Sequence, residues 1–139
     1  MSNNKVNFLK TFATNKESEE KGIELIFGDA KFIVKRAGAS NKPFTLSMSN
    51  FYKKNKFQLE NQLLSEEKLR PELAKIYFRH ISLGWEGVED PETDLKLEHN
   101  EENFVRIMTE FPEFFETYRD QCSNRANFQR EELESEAKN

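Results

Sequence analysis

Ile23-Glu24-Leu25-Ile26-Phe27-Gly28-Asp29-Ala30-Lys31-Phe32-Ile33-Val34-Lys35 decides how this chain folds. Two runs rich in β-branched and aromatic residues flank Gly28-Asp29. Glycine accepts the positive φ that a tight hairpin turn requires, so Gly22 to Gly38 reads as a β-hairpin. A two-stranded hairpin is marginal by itself and must lay an apolar face on something else.

The helical stretches C-terminal to the hairpin supply that partner. Asn41 can cap a helix and Pro43 fits its first turn, where a missing N–H costs nothing. Phe44, Met48, Phe51 or Tyr52, and Asn55 step at helical spacing, and Leu59 and Leu63 continue the stripe. Ser65-Glu66-Glu67-Lys68 resembles a capping box with Lys in place of Glu or Gln. Leu69, Leu73, Ile76, Tyr77, His80 and Ile81 then keep a helical rhythm. Pro71 sits deep for that start, which favours a helix beginning near Leu69 and ending at Gly84. After an acidic connection, Trp85 to Asn100, either His99 or Asn100 caps a helix from Glu101 to about Glu110, with Phe104, Ile107, Met108 and Phe111 inward. Pro112 breaks it or opens a last helix through Phe114, Phe115, Tyr118, Cys122 and Phe128. The expected fold is α+β and mainly α-helical, an N-terminal β-hairpin followed by three or four helices. The expected organisation is a polar arm at 1–21, in which Val6, Phe8, Leu9 and Phe12 form an apolar patch, a domain at 22–129 and a charged tail at 130–139.

The chain has 139 residues, and its 13 Phe are enough to build one core without staples. The single Cys122 forms no internal disulfide and suits a reducing cytosol. No apolar run approaches the ~18 residues that span a bilayer, and the start lacks a signal peptide's apolar stretch. Ala30 to Phe57 carries seven Lys or Arg and no acid, whereas Glu86 to Glu102 carries eight acids and one Lys. These segments either face each other, keep the surface hydrated, drive head-to-tail association of copies, or dock on a charged partner.

Residues that could do chemistry are sparse. His80 reads as a core or boundary histidine beside Tyr77 and Ile81, and His99 as solvated or capping. Cys122 has no His near it in sequence and reads as a buried, inert thiol. The carboxylates Glu86, Glu89, Asp90, Glu92 and Asp94 lack the spacing and central Gly of a calcium loop. Lys53, Lys54 and Lys56 beside Phe51 and Tyr52 could hold single-stranded nucleic acid, but the pI near 5.4 argues against it. The reading is therefore no catalytic residues, no metal site and no cofactor. Trp85, between Gly84 and Gly87, is expected to fold back on the core or to line a partner groove.

Four features together resemble the tail assembly chaperones of siphophages, the lambda and HK-type proteins. They are Ala30 to Arg36 followed by Ser40-Asn41-Lys42-Pro43; Ile81-Ser82-Leu83-Gly84-Trp85-Glu86-Gly87-Val88-Glu89-Asp90; Asn100-Glu101-Glu102-Asn103 followed by Phe111-Pro112-Glu113-Phe114-Phe115; and Asn127-Phe128-Gln129 leading into Glu131 to Asn139. The match runs from about Gly22 to the last residue. The resemblance implies a protein that binds the tape measure protein, keeps it soluble, helps recruit tail tube subunits and is absent from the mature virion. It implies work in the host cell cytoplasm, possible homo-oligomers and a longer frameshift product. Trp85, Phe104, Phe111, Phe114, Phe115 and Phe128 are the expected structural or partner-contact residues. A non-enzymatic phage adaptor such as a head–tail connector is the alternative.

Overall fold

Gly28, at φ 61°, turns the chain at the expected reversal, and β1 (Ile23–Phe27) pairs antiparallel with β2 (Ala30–Val34). Ile23 faces Val34 and Leu25 faces Phe32, and these four enter the core together. The computed structural model describes residues 9, 16–63 and 65–129. The readings of Val6, Phe8 and Phe12 as an apolar patch and of 130–139 as a charged tail lie outside them.

The chain is an α+β domain, mainly helical. Around the hairpin run α1 (Lys16–Lys21), α2 (Lys42–Glu60), α3 (Glu66–His80), β3 (Ser82–Glu86), α4 (Glu101–Glu110) and α5 (Pro112–Ser123). A further helical stretch covers residues 125–129. The expected arm is thus helical at its end. Ser18 of α1 is buried, and Glu19 accepts hydrogen bonds from Arg36 Nη1 at 2.8 Å and Ser40 Oγ at 3.0 Å.

The strand β3 corrects the sequence reading. The helix expected to reach Gly84 stops at His80, and residues 82–86 pair antiparallel with β2. Phe32 faces Trp85, Ile33 faces Gly84 and Val34 faces Ser82, with an irregularity between Ile33 and Val34. The hairpin leaves one edge of β2 with unpaired backbone groups, and β3 satisfies them in a three-stranded sheet ordered β1-β2-β3.

Local signals set most helix starts. Asn41 Oδ1 accepts from Phe44 N at 3.3 Å with Pro43 in the first turn, and Asn100 Oδ1 accepts from Asn103 N at 2.8 Å. Pro112 opens α5. In α3 the expected capping box does not form. The Ser65 hydroxyl makes no cap bond, and the first turn closes through Lys68 N and Leu69 N onto Ser65 O. That helix begins at Glu66 rather than near Leu69. It tolerates Pro71 because the carbonyl left without a donor, on Glu67, lies in an exposed first turn that water can solvate. On α2, Phe51 rather than Tyr52 turns inward, and Leu63 falls outside the stripe because the helix ends at Glu60.

The core is an aromatic network. Phe32 and Phe104 each stand 5.7 Å from Tyr118, and Tyr77 stands 5.6 Å from Phe115, all edge-on. Such pairs add about 0.5–1.5 kcal/mol each beyond burial. The chain breaks at Asn124 after α5, and residues 125–129 then return Phe128 to full burial. The oppositely charged segments lie side by side where Lys31 is opposite Glu86 across the sheet, although the Lys31 ammonium pairs with Glu24 at 3.5 Å. Otherwise they find other partners: Arg36 with Glu19, Lys54 with Glu72, Asp90 with Arg106 and Glu101 with Arg79.

Candidate interaction surface

α2, α3 and the start of α5 enclose an open groove of about 380 Å³. Helical spacing puts Phe51 and Leu59 of α2, Leu69 and Leu73 of α3, and Phe115 of α5 toward one another, and they form its apolar floor. Tyr52, 50% exposed, extends that apolar surface to its edge. Arg70, Glu113, Glu116 and Arg119 make a rim of both signs. The Arg119 guanidinium stands 5.6 Å from the Tyr77 and Phe115 ring centres, which fixes that side of the rim by cation–π attraction. Burial raises the Tyr77 hydroxyl above its ordinary pKa, against the hydrogen bond from Arg119. An apolar floor with a charged rim suits one face of an amphipathic helix.

A second, polar cleft lies between α2 and α3, lined by Ser47, Asn50, Lys54, Lys68, Lys75 and Arg79, with Glu72 among the cations. Lys54 is held by Glu72 at 3.1 Å and Arg79 by Glu101 at 2.7 Å.

The titratable groups serve the fold. His99 is neither solvated nor capping, because Asn100 takes the cap and His99 wedges between rings. Its centroid is 4.9 Å from Phe78 and 5.0 Å from Trp85, and its Nε2 lies 2.7 Å from Ser82 Oγ. Burial lowers its pKa. His80 Nε2 lies 2.9 Å from Ser47 Oγ; burial first, then the Arg79 charge, lowers its pKa. Cys122 is fully buried, and burial pushes its thiol far above the range in which a thiolate forms. Arg106 clamps Asp90 through Nη1 at 2.9 Å and Nη2 at 3.3 Å, holding its carboxyl below the usual range and tying down the acidic loop. Among the described residues no cluster of three or more His, Cys, Asp or Glu could hold a metal. None of their helices is long and apolar enough to cross a membrane.

The residues singled out in the sequence separate into two groups. Phe115 lines the groove, and Phe111 is 44% exposed instead of pointing inward, because the chain leaves α4 there. Phe104 and Phe128 are fully buried, while Trp85 and Phe114 pack at the edge of the core around Phe32. The Trp85 indole N–H donates to Leu97 O at 2.9 Å, which ties the acidic loop to β3. The sequence reading missed the groove residues Leu59, Leu69 and Leu73 as a surface. Their helical spacing was visible, but the gap they line depends on how three helices meet.

Residues 39–139, from just before α2 to the last residue, match the family described as YdaY prophage protein. No curated protein and no solved structure matches the chain. The matched region holds every element that lines the groove, and on that match the chain belongs to the YdaY prophage protein family.

Proposed function

We propose that this chain is a tail assembly chaperone that acts by binding rather than by chemistry. It holds apolar helical stretches of the tape measure protein in the groove between α2, α3 and α5, keeps that protein soluble and helps recruit tail tube subunits. It works in the host cytoplasm and leaves before the virion matures. The groove is the observation that carries this reading, since its apolar floor continues onto exposed Tyr52. Membership of a prophage family agrees with a phage role, and the resemblance of the Gly84-Trp85-Glu86-Gly87-Val88 and Phe111-Pro112-Glu113-Phe114-Phe115 elements supplies the narrower one.

The test is co-expression with the tape measure protein of the same prophage. The intact chain should keep that protein in the soluble fraction. The effect should survive ~0.5 M salt, where screening shortens electrostatics to about 4 Å, because the contact is apolar. Tyr52→Glu should abolish it without unfolding the chain. A client that stays insoluble beside the intact chain refutes the reading. So does stoichiometric presence of this chain in purified virions, which is the signature of a connector.

A further inference from the structure

The arginines of this chain fall into two groups. Arg36, Arg79 and Arg106 each hold a carboxylate, at 2.8, 2.7 and 2.9 Å. Arg70 and Arg119, both half-buried, hold none among the described residues. Both line the groove between α2, α3 and α5. Glu113 and Glu116 line the same groove, yet neither pairs with these arginines. Both acids are exposed, and Glu113 sits in the first turn of α5, where the helix dipole suits it. The groove thus draws its cations partly out of water and leaves its anions in it.

The surroundings of Arg119 hold it ready for a ligand. Its guanidinium stands 5.6 Å from the Tyr77 and Phe115 ring centres and donates to the Tyr77 hydroxyl, a neutral acceptor. Its Nε is buried with no hydrogen-bond partner among the described residues. A guanidinium carries five donors, so the fold supplies acceptors for only part of this one. The rings fix the fork in advance, which lowers the entropy lost when a carboxylate arrives. Arg70 follows the floor residue Leu69 and lies one turn before Leu73. A pair formed at so apolar a floor is screened less by salt than one in open water.

We propose that the groove selects helices that carry Glu or Asp beside their apolar face, with those carboxylates received by Arg70 and Arg119. The proposal rests on the chaperone reading and names the chemistry of the client segments. Apolar side chains of the client cover Leu59, Leu69 and Leu73 and supply affinity. The acids decide which helix is held and in which orientation. A helix with lysines on those flanks would press its ammonium groups against two half-buried guanidiniums and be rejected.

The test uses three labelled helical peptides with leucines at i, i+3, i+4 and i+7 and with Glu, Gln or Lys at the flanking positions. Each is titrated into the intact chain and followed by fluorescence anisotropy. The Glu peptide should bind about tenfold more tightly than the Gln peptide, and the Lys peptide most weakly. Arg70→Gln should narrow the gap between Glu and Gln without changing thermal melting, since Arg70 has no carboxylate to lose. Arg119→Gln should narrow it as well and also lower the melting temperature, because its ring contacts go. The double variant should bind both peptides alike, and Arg70→Glu should shift the preference toward the Lys peptide. Equal binding of all three peptides to the intact chain overturns the proposal and leaves the chaperone reading standing. A preference for Glu that survives in the double variant also overturns it, because other cations would then receive the acid. No binding by any peptide overturns both. A tape measure protein that stays insoluble while the peptide order holds refutes the chaperone reading alone.

Discussion

Phe32 and Trp85 face each other across β2 and β3 with ring centroids 5.8 Å apart, and this pair joins the N-terminal hairpin to the helical half of the domain. Trp85 also lies 6.3 Å from Phe104 in a stacked arrangement and holds Leu97 through its indole N–H. Sheet, α4 and the acidic loop therefore all converge on one side chain.

Trp85→Ala should accordingly cost about 3 kcal/mol or more of folding stability, as removal of a large packed aromatic does. Trp85→Phe should keep most of the ring packing and lose the Leu97 bond, at about 1 kcal/mol. Urea unfolding of both variants checks the order. Equal losses would show that the hydrogen bond, and not the ring, matters.

Two glycines with positive φ should respond differently to substitution. Gly87, at φ 73°, would place a Cβ 2.7 Å from Asp29 O, where β3 leaves the sheet over the hairpin turn. Gly28, at φ 61°, has open space around it. Gly87→Ala should therefore destabilise by about 1–3 kcal/mol. Gly28→Asn should stay within about 1 kcal/mol, because Asn tolerates the left-handed conformation. Thermal melting of the pair decides it.

Stability should fall on mild acidification. The folded-state pKa of His99 is lowered by burial, so the unfolded chain takes up the proton first. The contribution of His99 is whole above the unfolded value near 6.5 and is lost as pH falls through the lower folded value. His80 shifts in the same direction. Urea midpoints measured from about pH 7.5 to about pH 5 should decline in the parent chain. The slope should be shallower in His99→Gln and in His80→Gln. A flat parent profile would contradict the burial of both rings.

The Asp90–Arg106 clamp should fail at lower pH. Arg106 holds the Asp90 carboxyl below its ordinary value, so the clamp contributes fully above about pH 4. The contribution disappears as pH falls through the depressed folded value. Asp90→Asn should be less stable than the parent at neutral pH, and the gap should close in stronger acid. Amide exchange at Leu95 and Leu97, which are hydrogen-bonded within this loop, should quicken in the variant.

Short-range chemistry was legible in the sequence by itself. Gly28-Asp29 marked the hairpin, Asn41 marked one cap, His99-Asn100 bracketed a second, and Pro112 marked a break or a helix start, because each acts on backbone within about four residues. The inward Phe44, Phe104, Ile107, Met108, Phe115 and Tyr118 followed from helical period alone. Tertiary structure decided whatever needed a distant partner. Residues 82–86 suit a helix end or a strand equally well, and only the open edge of β2, some fifty residues earlier, selects the strand. Asn100, by taking the cap, left His99 free to wedge between Phe78 and Trp85. Phe111 turned outward where two helices meet. The groove exists only because α2, α3 and α5 converge around a gap, and side-chain period along one helix carries no information about the distance to the next.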